Sequence, residues 1–121
     1  MKNLINLTNQ AVEKRVSFGY SIATGETCPN TGYLLTISDG YHFVIPENED
    51  LVSKVKEFAM SYIDELVDEN NYIVCYYNDD LGIFSLDVSR HFYNIEEMKA
   101  YGIEHDKRAV WDLTLNGLLY E

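Results

Sequence analysis

Three histidines, two cysteines and twenty carboxylates are the residues of this chain that could do chemistry. His42, His91 and His105 stand far apart, with no HExxH or similar ligand spacing, so they predict no zinc site. Cys28 and Cys75 have no second Cys or His at ligand spacing beside them and read as two reduced thiols, not as a disulfide framework or a zinc knuckle. Asp79-Asp80 and Glu96-Glu97 are paired carboxylates that could act as acid and base or hold a divalent cation. The alternating oxygen ligands and central Gly of a calcium loop are nevertheless missing. Ser17-Phe18-Gly19 and Ser38-Asp39-Gly40 do not make a GxSxG elbow, and no Gly-rich phosphate loop precedes a helix. The expectation is therefore no enzyme, no catalytic residue, no metal and no cofactor.

The charge is more informative than the missing chemistry. Twenty acids against nine bases give a net charge of -11, which repels nucleic acid and anionic membranes and favours cationic surfaces. Residues 1–45 are neutral, with Glu13, Glu26 and Asp39 matched by Lys2, Lys14 and Arg15. Residues 46–80 hold ten acids against Lys54 and Lys56, a balance of -8. No run of 18 or more apolar residues occurs, and the N-terminus lacks the apolar stretch of a signal peptide, so the protein is expected in the cytoplasm with no membrane contact.

The elements that would position these groups follow from periodicity. Leu4-Ile5-Asn6-Leu7-Thr8 and Arg15 to Ile22 alternate as strands would, and Thr24 to Gly32 is dense in turn residues. Tyr33 to Ile37 and Tyr41 to Ile45 flank Ser38-Asp39-Gly40, a hairpin signal. Leu51, Val55, Phe58, Ala59, Tyr62, Ile63 and Leu66 recur on one helical face, which predicts one long helix from about Glu49 to Asp68. Tyr72 to Tyr77 and Gly82 to Val88 form a second hairpin around Asn78-Asp79-Asp80. Asn94 and Glu97 mark a short helix that Gly102 would end. Ala109 to Leu113 and Leu118 to Tyr120 close the chain as a hairpin around Asn116-Gly117. With 121 residues and 46% hydrophobic content, this plan is one α+β domain, residues 1–121: a mainly antiparallel sheet with the long helix on one face.

On such a helix the negative charge at the C-terminal end works against the macrodipole. Glu47, Glu49 and Asp50 suit the N-terminus, whereas Asp64, Glu65, Asp68 and Glu69 would gather where Lys or Arg is favoured. Together with Asp79 and Asp80 they are read as a partner-binding surface that imitates nucleic-acid phosphates. The plainer alternative is a solvated face that keeps the chain soluble. Tyr76 and Tyr77, beside Asp79, are candidate contact residues within that surface, or else sheet packing.

Ile5-Asn6-Leu7-Thr8 with Ala11-Val12, Gly25-Glu26 to Thr31-Gly32-Tyr33, Phe84-Ser85-Leu86-Asp87-Val88-Ser89 and Ala109-Val110-Trp111-Asp112-Leu113 resemble small acidic proteins of bacteriophages and other mobile elements. The resemblance implies an inhibitor of host defence of the anti-CRISPR or anti-restriction type, and it carries no catalytic residues. Its partner would be a cationic nucleic-acid-binding protein such as a CRISPR effector or restriction enzyme, with no direct nucleic-acid binding. The alternative is a structural or regulatory phage protein that forms a homodimer, or binds a virion component, through an edge strand. A small-molecule or hydrolytic role would need a deep polar pocket around His42 or His91.

Overall fold

Hydrophobic spacing at three and four residues sets the first element. In the computed structural model, which describes residues 2–38, 43–46, 50–107 and 110–113, the chain opens with helix α1, Lys2–Lys14, and not with a strand at 4–8. Five residues are too few to separate alternation from helical spacing. Leu4, Leu7, Thr8 and Ala11 form its buried stripe, and the Thr8 hydroxyl donates to the Leu4 carbonyl at 2.8 Å, so no buried donor is left unpaired there. Arg15 then takes a left-handed conformation (φ 55). The Val16 N–H returns to the Ala11 carbonyl at 3.2 Å, and the expected strand shortens to β1, Phe18–Tyr20.

Two expected pieces of the sheet pair differently. β2 (Tyr33–Thr36) and β3 (Phe43–Pro46) are both strands, but each pairs antiparallel with β5 (Ile83–Phe92) and not with the other. β2 aligns Thr36 with Ser89 and β3 resumes at Phe43 with Leu86. The chain between them, of which 39–42 lie outside the described residues, is four residues longer than continuous pairing would need. The hairpin of β4 (Asn71–Asn78) with β5 forms as its sequence predicts, and it is the centre of a six-stranded antiparallel sheet ordered β1-β4-β5-β2-β6. β6, Val110–Asp112, pairs with β2; the Asn116-Gly117 turn and residues 118–120 lie outside the described residues.

The single long helix is also corrected. α2, Leu51–Ser61, starts on Asp50, whose carboxylate accepts from the Ser53 N–H and hydroxyl. It stops at Tyr62 (φ -115, ψ 25), and α3, Ile63–Leu66, follows as a separate turn. The longest helix among the described residues is α1, with 13 residues. The last helix, α4, Ile95–His105, begins on Asn94 as its sequence predicts but does not end at Gly102. Asp106 (φ 55) makes the left-handed exit, with the Lys107 N–H on the Gly102 carbonyl at 2.8 Å and the Asp106 N–H on Ile103 at 3.4 Å. Gly102 serves that return: a Cβ there would stand 2.7 Å from the Lys107 carbonyl oxygen.

The described helices all cover one face of the sheet. Phe84, Leu86 and Val88 on β5 and Ile73 and Cys75 on β4 pack with Leu4, Leu7, Leu51, Val55 and Phe58. Further along the same face, at two-residue spacing, Arg90 lies over Tyr101 of α4 and Phe92 packs against that ring. The opposite face carries the smaller cluster of Cys28, Leu34, Val74 and Leu113, where the buried Asp87 carboxylate accepts from Ser89 Oγ at 2.6 Å.

Candidate partner-binding surface

The break at Tyr62 changes the meaning of the acidic residues. Asp64 and Glu65 fall in the first turn of α3, not in the last turn of a long helix. A single turn of four residues has little macrodipole for negative charge to oppose, so these acids no longer stand against the dipole of a long helix. Asp68 is explained by structure: its carboxylate accepts from the Asn70 N–H at 2.9 Å and pairs with Arg90 Nη1 at 3.1 Å. Those bonds, the Asn70 N–H first and Arg90 after it, hold its carboxyl below the usual range.

The eight expected contact residues do not form one surface. Asp64, Glu65, Asp68 and Glu69 precede β4, whereas Tyr76, Tyr77, Asp79 and Asp80 lie at its far end. The strand has eight residues, and at about 3.3 Å per residue it holds the two groups roughly 25 Å apart. Tyr76 and Tyr77 also face opposite sides of the sheet, and Tyr77 packs into the core with its ring 4.9 Å from Phe84. It is therefore sheet packing, the plainer of its two expected roles.

Sheet pairing gathers a different set of acids at the first end. The His91 N–H donates to the Asn70 carbonyl at 2.9 Å, so the turn carrying Asp68 and Glu69 is bound to the end of β5. β5 leads within three residues into the start of α4, where Glu96 and Glu97 occupy the first turn and Asn94 accepts from both of their N–H groups at 2.8 and 3.1 Å. Asn70, Arg90, His91, Phe92, Tyr93, Asn94 and Glu97 thus line one groove of about 440 Å³. Asp64, Glu65, Glu69, Glu96 and Glu97 are all exposed around this end of the sheet.

Aromatic rings give the groove a firm wall. Tyr72, His91 and Tyr93 form a ladder of edge contacts, with ring centroids 6.2 and 4.5 Å apart. His91 Nε2 donates to the Thr31 carbonyl at 2.8 Å, which fixes the middle ring. Burial pushes the Tyr72 phenol up to about 12, with the neighbouring Cys28, Tyr93, Glu26 and Glu69 adding to the shift, so Glu26 and Glu69 lie within electrostatic reach of the ladder. Tyr93 at its outer end is 71% exposed, large for an aromatic side chain.

Tyr93, Glu96 and Glu97 were not among the residues expected to contact a partner. The capping signal at Asn94 places Glu96 and Glu97 at a helix start, but only the pairing of β4 with β5 brings them beside Asn70. The groove at His91 is open and of mixed polar and apolar lining, and Arg90 within it is already engaged by Asp68 and Asn71. Among the described residues no group of three or more His, Cys, Asp or Glu could hold a metal ion. None of the described helices is long and apolar enough to cross a membrane. The outer edge of β1 is met by its own loop, through the Tyr20 to Thr27 bridge and the Cys28 N–H on the Gly19 carbonyl at 2.9 Å. No family model, curated protein or solved structure matches the chain.

Proposed function

We propose that this protein acts by stoichiometric binding, placing the acidic end formed by the α3–β4 turn and the start of α4 against a cationic nucleic-acid-binding protein. The observation that carries this reading is that Glu97 and an exposed Tyr93, its ring backed by His91, line one groove, with the exposed Glu69 and Glu96 next in sequence to its lining residues Asn70 and Glu97. Carboxylates supply attraction to Lys and Arg, and a rigid aromatic supplies contact area at little entropic cost. A compact acidic end replaces the long phosphate-like row expected from the sequence, because Asp79 and Asp80 stand at the other end of β4.

The target class we assign is a defence nuclease or nucleoprotein, a CRISPR effector or restriction enzyme, whose nucleic-acid channel is lined with cations. Binding there would exclude the nucleic acid and inhibit without catalysis. The test is inhibition of DNA binding by purified enzymes of these two classes, at low and at high salt. Inhibition that saturates at a fixed molar ratio and weakens with salt supports the reading, since exposed charges are screened beyond about 10 Å at 0.1 M ionic strength. A protein that leaves DNA binding by every such enzyme unchanged at low salt does not act in this way.

A further inference from the structure

We infer that the groove beside Tyr93 receives one arginine side chain of the partner. This rests on the acidic-binding reading above and names its anchor. Glu97, Tyr93 and Asn70 all line the groove, and a carboxylate, an aromatic ring and an amide oxygen are three groups a guanidinium uses. Tyr93 does not have to be ordered on binding, because His91 supports its ring edge-on at 4.5 Å and is itself held by the Thr31 carbonyl. Glu97 is placed by the cap, since Asn94 Oδ1 accepts from its N–H.

The resident cation does not fill this role. Arg90 Nη1 donates to Asp68 at 3.1 Å and to Asn71 at 3.3 Å, and its guanidinium lies 5.4 Å from the centre of the Tyr101 ring. Its charge is answered inside the fold, so the remaining charge at this end, from Glu69, Glu96 and Glu97, is negative. An anionic ligand would have to approach those three carboxylates. Arginine suits the groove better than lysine because a planar guanidinium lies flat on a tyrosine ring while its N–H fork meets a carboxylate. An ammonium is a point charge that satisfies one of the two at a time.

The probe is a tetra-arginine peptide, with tetra-lysine as comparison, titrated into the full isotope-labelled chain and followed by amide chemical shifts. The expected result is saturable shifts centred on Asn70, His91, Tyr93, Asn94 and Glu97, with tetra-arginine the tighter ligand. Tyr93→Ala and Glu97→Gln should each weaken it about threefold, the scale of an exposed cation–π or ion-pair contact. Both side chains are exposed, and unchanged melting of the variants would show that the fold is kept. Tetra-arginine that binds at this end with its shifts centred on Asp64 and Glu65, or with affinity unchanged in both variants, would overturn the arginine site while leaving the acidic reading standing, whereas shifts centred on the Asp79-Asp80 turn would count against both. Equal binding of the two peptides would remove the preference for guanidinium and so the inference. Failure of both peptides to bind anywhere would end both readings.

Discussion

Arg90 of β5 and Asp68 of the α3–β4 turn meet at 3.1 Å, and that pair holds the acidic end of the molecule to its sheet. Asn71, buried at the start of β4, completes the link: its side chain accepts from Arg90 at 3.3 Å and donates to the Glu65 carbonyl at 2.8 Å. The turn that presents Glu69 is thus tied to α3 and to β5, and through the Arg90 guanidinium over Tyr101 to α4 as well.

Replacing Asp68 with Ala should lower stability by about 1 kcal/mol, because a partly exposed, screened ion pair adds little beyond the hydrogen bond to the Asn70 N–H. The folded protein holds this carboxyl below its unfolded value of about 3.9. Its contribution is therefore present above that pH and lost as pH falls through the lower, folded value. Urea unfolding between about pH 5 and pH 2.5 should show Asp68→Asn losing less stability than the parent chain.

Much of the fold was legible because it depends on local signals. Asn78-Asp79-Asp80 turns the β4–β5 hairpin and Asn94 starts α4, and neither needs distant contacts. Three readings failed where local patterns were ambiguous or long-range pairing decided the outcome. Leu4 to Thr8 alternates over five residues yet continues a helical stripe through Ala11. The break at Tyr62 is invisible in a face that repeats on both sides of it. Asp39-Gly40 sits between two strands that each choose β5, a partner some fifty residues away in sequence that no turn signal encodes. The candidate site was half legible for the same reason. Glu69 and its neighbours stood out by charge, whereas Tyr93, Glu96 and Glu97 join them only through the register of β4 on β5.

Gly32 should resist substitution. Its φ is +96, and a Cβ there would stand 2.6 Å from the Phe92 carbonyl and 2.8 Å from His91 Nε2. Gly32→Ala should destabilise by about 2 kcal/mol or more, since both the backbone and the nearby ring must give. It should also disturb the Tyr93 amide signal, because the clash falls on the ring that supports Tyr93.

The thiols should be inert in the folded chain. Burial pushes the Cys28 thiol up to about 12 and raises Cys75 further, Asp87 adding to the second shift. A thiol reagent at mildly alkaline pH should label neither cysteine in the native protein on a timescale of minutes and both at once in urea. Rapid labelling without denaturant would contradict the packing of both core clusters.

Asn94→Ala should cost about 1 kcal/mol, because it frees the N–H groups of Glu96 and Glu97 that its side chain now accepts from. Fraying of this turn should also weaken partner binding, which separates it from caps elsewhere: Asp50→Ala, at the start of α2, should reduce helix stability without changing affinity.

The central claim is that the acidic end, and not acidity in general, binds a cationic nucleic-acid-binding protein. The most direct measurement compares inhibition of a target nuclease by two charge-reversed variants, Glu69→Lys/Glu96→Lys/Glu97→Lys and Asp79→Lys/Asp80→Lys, each first shown to melt like the parent. Loss of inhibition by the first, with the second retaining most of it, is the predicted result. Inhibition unchanged in the first variant would contradict the account.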